Sequence, residues 1–198
     1  MNNSTEQFKR AFFDLPSRAF GETYVQKLLY KILGEKKFTG TDKIKSNLLD
    51  AQRGNLKGEY KAVRVVFENK SGDCLYENVI NSTPMSTRIA SIQDIRDGKI
   101  VANFQNIKLH DGDKFEFDYL IYVLVDDYGF HIFEISGTDM TKAVKNNEFP
   151  NWCDKHGSKE TGKNGQFTIR KENLDWHLNH LKRTVCWNDL AKYAKSIE

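Results

Sequence analysis

Three cysteines in 198 residues, Cys74, Cys153 and Cys186, are odd in number and widely spaced, with no Cys-x-x-Cys pair. That argues against a disulfide framework and predicts free thiols in a reducing compartment. No apolar run approaches the roughly 20 residues that span a bilayer. The start, MNNSTEQFKR, lacks the basic-then-apolar order of an export signal, so a cytoplasmic protein with no membrane partner is expected. Neither GxGxxG nor the P-loop pattern GxxxxGK followed by Ser or Thr occurs, which argues against a nucleotide-binding Rossmann or P-loop unit. Net charge is small as well. The +3 left by 30 basic and 27 acidic residues does not announce a nucleic-acid partner unless basic groups gather on one face.

What is present fits one folded unit, with 39% hydrophobic and 29% charged residues. Phe20, Tyr24, Leu28 and Ile32 recur every fourth position, flanked by Val25, Leu29 and Leu33, and predict a helix over 18–33 with Ser17 as cap and Gly34 as stop. A short strand-like piece at Leu48 and Leu49 leads through a turn at 53–55 into a strand over 56–67. A helix is expected near 88–96, ended by DGK. The stretch FEFDYLIYVLVDDYGFHIFEIS reads as two strands around the turn DDYG, and Val123 to Val125 is apolar on both faces, as in a central strand. Helices are expected over 138–145 and 172–181, with a strand at FTI between them. Together these imply an α/β or α+β core whose central mixed sheet is flanked by helices.

Within the strand over 56–67, Glu59, Lys61, Val63 and Val65 share one face and Tyr60, Ala62 and Arg64 the other. An acid at a strand end, Asp50, followed across a turn by Glu59 with Lys61 two residues on, suits phosphodiester hydrolysis. Carboxylates hold a magnesium ion, and the ammonium orients a water beside it. The same acid-x-Lys spacing at Glu35/Lys37, Glu68/Lys70 and Asp97/Lys99 falls at a helix end or in turns. The competing account of Glu59 and Lys61 is a surface pair on the wet face of an edge strand. Asp42 is the alternative upstream acid.

With the helix stretch SRAFGETYVQKLL, these residues resemble the PD-(D/E)xK nuclease superfamily, the fold of type II restriction endonucleases and archaeal Holliday junction resolvases, over about residues 18–137. Leu49 stands where the family has proline, and Asp50 lies close to Glu59. The resemblance implies a restriction-endonuclease-like core over 1–150, with 151–198 a C-terminal DNA-contacting and packing part of the same unit. It implies Mg2+ held by Asp50, Glu59, the Tyr60 carbonyl and the helix acid Glu22, with Lys61 positioning the water. Glu22 also suits a first helical turn through the helix dipole. Asp126 and Asp127 belong to a turn and carry no expected chemistry.

The stretch after His156 is basic and rich in Gly, Ser, Thr and Asn. Lys159, Lys163 and Arg170 there suit a phosphate backbone, and Asn164 and Gln166 suit base edges. Arg88, Ser91 and Gln93 are further candidates for DNA contact. Cys153, His156, His177, His180 and Cys186 have spacings a zinc ion accepts, but the surrounding tryptophans argue for packing instead. The expected function is a Mg2+-dependent type II restriction endonuclease on double-stranded DNA. A homodimer is expected, because two strands of a near-symmetric site need two active sites. The rivals are a junction or repair nuclease of the same fold and a non-catalytic DNA-binding regulator.

Overall fold

The computed structural model describes residues 3–16, 19–39, 49–67, 89–108, 114–155 and 164–195. Helix α1 (Asn3–Asp14) is followed by a π-helical segment (Ala19–Val25) that runs into α2 (Gln26–Leu33). Strands β1 (Lys36–Lys37), β2 (Ala51–Arg53) and β3 (Leu56–Arg64) come next, then α3 (Ile92–Arg96), β4 (Ala102–Lys108), β5 (Tyr119–Val125) and β6 (Gly129–Ser136). The remainder is α4 (Gly137–Lys145), β7 (Cys153–Lys155), β8 (Asn164–Ile169), a 3-10 turn (Lys171–Asn173), α5 (Leu174–Leu178), β9 (Leu181–Cys186) and α6 (Trp187–Lys195).

Six strands form a mixed sheet in the order β1-β2-β3-β5-β6-β9, and β4, β8 and β7 form a separate antiparallel sheet of three. Within the large sheet β3 and β5 run parallel, from Gly58↔Tyr119 to Arg64↔Val125, and the other neighbours are antiparallel. A parallel pair needs a crossover, and α3 and β4 lie within that connection. Every residue of β5 is buried, because both faces of the sheet are covered. Tyr119, Ile121, Val123 and Val125 pack with Phe12, Phe20, Leu28, Leu29, Trp187 and Leu190 on the side of α1, α2 and α6. Leu120, Tyr122 and Leu124 pack with Phe104, Ile107, Met140, Phe167 and Leu174 on the side of the small sheet. The mixed α/β class with a central mixed sheet flanked by helices is therefore as the residue patterns imply.

The residues that bound the elements act by ordinary local chemistry. Gly34 closes α2 at φ 67°, a left-handed position that favours glycine, and donates its N–H to the Tyr30 carbonyl. Ser91 and Asp94 form a reciprocal capping box on α3. Asp126 turns the β5–β6 connection by accepting from the backbone N–H groups of Ile92, Tyr128 and Gly129.

Four expectations shift. The strand-like piece expected at Leu48 and Leu49 forms instead as β2 at Ala51–Arg53, and Leu48 itself lies outside the described residues. The segment over 18–33 begins as a π-helix, whose wider turn rotates Tyr24 out to 46% exposure although the four-residue repeat puts it on the apolar stripe. The helix expected over 172–181 is confined to Leu174–Leu178, and the chain is extended again by Leu181 to pair with β6. The helix expected over 88–96 starts only at Ile92, after its Ser91 cap.

Candidate nuclease centre

The candidate centre lies where β2 departs from the ladder of β3. Pairing reaches Ala51↔Gly58, and the Asp50 N–H then donates to the Gly58 carbonyl at 3.0 Å. One step further, a side chain supplies the ladder bond: the Tyr60 N–H donates to Asp50 Oδ2 at 2.8 Å. Lys57 and Val65 turn their peptide groups toward β5, bonding Asp118 N–H and the Val125 carbonyl, each at 2.8 Å. Gly58 and Tyr60 therefore turn theirs toward β2, since N–H and C=O of one extended residue lie on the same side. The Tyr60 carbonyl is thus aimed at the corner that holds the Asp50 carboxylate.

Helix α2 grips Asp50 from the other direction. Gln26 Nε2 donates to Asp50 Oδ1 at 2.8 Å, and the Tyr30 hydroxyl donates to the Asp50 carbonyl at 2.6 Å. Burial, then the charges of Asp50 and Glu35, push the Tyr30 phenol up to about 12, so it remains a donor at any working pH. Glu22, the expected helix acid, is exposed on the π segment one turn before Gln26. Sequence reasoning missed Gln26 and Tyr30. Their signal was the four-residue spacing Glu22, Gln26, Tyr30 beside the apolar stripe.

Glu59 is 1% exposed, and Lys61 Nζ lies 2.6 Å from its Oε1. Because β3 is sandwiched between β2 and β5, the surface pair on an edge strand does not describe these residues. The β2–β3 ladder ends at Ala51↔Gly58, and Asp50 and Glu59 are the next residues on the two strands. Carboxylate and carbonyl oxygens are hard donors suited to Mg2+, which is commonly held by one or two carboxylates with waters completing its shell. Asp50, Glu59 and the Tyr60 carbonyl meet that requirement in kind. Among the described residues, no group of three or more His, Cys, Asp or Glu side chains is gathered to hold a metal ion.

Behind the hairpin, on the helical side, stands a polar network the sequence did not announce. Glu35 is fully buried and accepts from the Tyr60 hydroxyl, from the Tyr119 hydroxyl at 2.8 Å and from Arg53 Nη2 at 2.5 Å. Arg53 lies 4.5 Å above the Tyr119 ring and forks onto both Glu134 oxygens at 2.9 Å, and Lys182 also bonds Glu134. The Glu134 bonds raise the Arg53 guanidinium above its ordinary value, and Glu35 adds to the effect. Burial raises the Tyr60 and Tyr119 phenols, and the bonds to Glu35 reinforce it. Glu35 follows the Gly34 cap just past the end of α2, as its sequence position implies, but it is not a bystander there. It is instead the anchor of the strand that carries Glu59 and Lys61.

The DNA-contact candidates divide. Ser91 donates its hydroxyl to Asp94 Oδ2 at 2.9 Å, and Gln93 donates to Asp97 at 2.8 Å. Gln166 donates to Cys153 Sγ at 3.2 Å across β7 and β8, Asn164 opens β8, and Arg170 is exposed after it. Arg88, Lys159 and Lys163 lie outside the described residues, as do Asp42, Cys74 and His156. His177 Nδ1 pairs with the Tyr122 hydroxyl and His180 Nδ1 with the Trp176 carbonyl, which is the packing arrangement expected of the C-terminal histidines.

Compared with protein-family models, with curated proteins and with solved structures, the chain matches none.

Proposed function

We propose that this protein is a Mg2+-dependent endonuclease that hydrolyses phosphodiesters of double-stranded DNA, in the manner of a type II restriction enzyme acting as a homodimer. The observation that carries the reading is the corner of β2 and β3. There the Asp50 carboxylate completes the ladder of the strand that bears the buried Glu59 and its partner Lys61. A buried carboxylate with an ammonium beside it is costly to maintain, and such groups concentrate at functional sites.

Asp50, Glu59 and the Tyr60 carbonyl would hold the ion, with Glu22 approaching from the helix. Mg2+ supplies charge neutralisation at the phosphate and lowers the pKa of a bound water. Lys61 presents its ammonium to the attacking water and balances the carboxylates around it. Gln26 and Tyr30 fix the acid on β2, and Glu35 fixes the strand that carries the other two groups.

Purified protein incubated with mixed-sequence plasmid, with Mg2+ or with chelator, tests the reading by mapping the ends. Discrete metal-dependent fragments bearing 5′-phosphates are expected. Cutting of branched substrates alone would favour a junction nuclease, and metal-independent binding without scission a regulator. Lys61→Ala is expected to lower cleavage by at least about 100-fold, the scale of a lost general acid-base or electrostatic group, with DNA retention in gel shift unchanged. Sedimentation should give twice the chain mass.

A further inference from the structure

We infer that Gln26, together with Tyr30 one helical turn on, is a positioning residue that sets the cation affinity of Asp50. The inference rests on the nuclease reading above. It concerns what the chain itself does to Asp50 before any DNA arrives. Gln26 Nε2 donates to Oδ1 at 2.8 Å, and Tyr60 N–H donates to Oδ2 at 2.8 Å, so each carboxylate oxygen has one fixed donor. The Tyr30 hydroxyl holds the carbonyl of the same residue at 2.6 Å. Carboxyl group and backbone are therefore clamped from one face of α2.

Each carboxylate oxygen accepts more than one bond, so these contacts leave acceptor capacity for a cation. The donors are neutral. A lysine or arginine in place of Gln26 would cancel the charge that attracts a divalent ion, whereas an amide and a phenol fix the rotamer and leave the full negative charge. Tyr30 is suited to the task because its ring lies 5.8 Å from the Tyr60 ring, which ties the clamp to the strand whose N–H and carbonyl flank the site. Partners that orient a metal ligand without touching the metal change affinity by roughly 10- to 100-fold when removed.

The test uses the full chain without DNA, and Mn2+ as probe in a calorimetric titration, alongside the half-saturating Mg2+ concentration for plasmid cleavage. Gln26→Met keeps the length and the apolar stem but removes the donor. It is expected to weaken Mn2+ binding and to raise half-saturating Mg2+ by roughly 10-fold. KM for DNA should not move, and the rate at saturating Mg2+ should be nearly restored in protein that circular dichroism shows to be folded at the assay temperature. Tyr30→Phe, which keeps the ring, should shift both readouts in the same direction by a smaller factor. Mn2+ affinity in Gln26→Met equal to that of the unaltered protein overturns the inference and leaves the nuclease reading standing. An unaltered protein that neither binds Mn2+ nor cuts overturns the reading, and the inference with it.

Discussion

Glu35 has no exposed side-chain surface and is held by Tyr60, Tyr119 and Arg53, so its loss strands two buried phenols and part of a guanidinium. Glu35→Ala is expected to lower unfolding free energy by about 3 kcal/mol, the scale of breaking a buried ionic contact, read by urea denaturation. Because Tyr60 lies on the strand that carries Glu59 and Lys61, the same variant should lose cleavage at temperatures where it is still folded. Gly58 is constrained differently. A Cβ there would sit 2.5 Å from the Tyr119 ring, whose hydroxyl reaches Glu35. Gly58→Ala should cost about 1–3 kcal/mol by overpacking, measured in the same denaturation. At this scale the sequence is legible for Glu59 and Lys61, because a charged pair two apart in a β-branched run is conspicuous. It is opaque for Glu35, since burial of a charge depends on partners distant in the chain, such as Tyr119.

Among the elements, α3 is short and depends on its ends. Ser91 accepts the Asp94 N–H and Asp94 accepts the Ser91 N–H, so Ser91→Ala should destabilise the fold by about 1 kcal/mol. Thermal melting checks this, with a fall of the midpoint by a few degrees for a chain of this size. The strands β5 and β6 could be read directly, because a run apolar on both faces has few homes other than the middle of a sheet. Strand β9 could not. Leu181 to Thr184 are exposed along the sheet edge, so no alternation of apolar and polar residues marks them. The π segment ahead of α2 is equally silent in a pattern count. Its extra residue per turn displaces Tyr24 from the stripe while leaving Val25, Leu28, Leu29 and Ile32 buried.

Across the whole molecule, the two halves of the chain share their cores. Trp187 of α6 packs against Phe12 and Phe13 of α1, and Phe167 of β8 stacks on Phe104 of β4. His177 lies in the second of these clusters, stacked on Phe167 with no exposed surface, and its Nε2 has no hydrogen-bond partner among the described residues. Burial, aided by His180, lowers its pKa to about 3. The unfolded chain takes up that proton near pH 6.5 and the folded one does not, so stability is full above pH 6.5 and declines as pH falls toward 3. The slope from this one residue is about 1.4 kcal/mol per pH unit. His177→Phe should flatten the plot of unfolding free energy against pH over that window; an unchanged slope would mean that other groups set the acid sensitivity.

By itself the sequence determined the α/β class, the central pair β5 and β6, the helix that approaches the hairpin and the face shared by Glu59 and Lys61. These follow from periodicities of about 3.6 and 2 residues, which are properties of neighbouring positions. Only the tertiary structure decided that β3 is interior, that Glu35 is an anchor and that Gln26 and Tyr30 clamp Asp50. Those outcomes depend on which segments meet across long stretches of chain, and a buried polar group is tolerated only where partners from several segments converge on it.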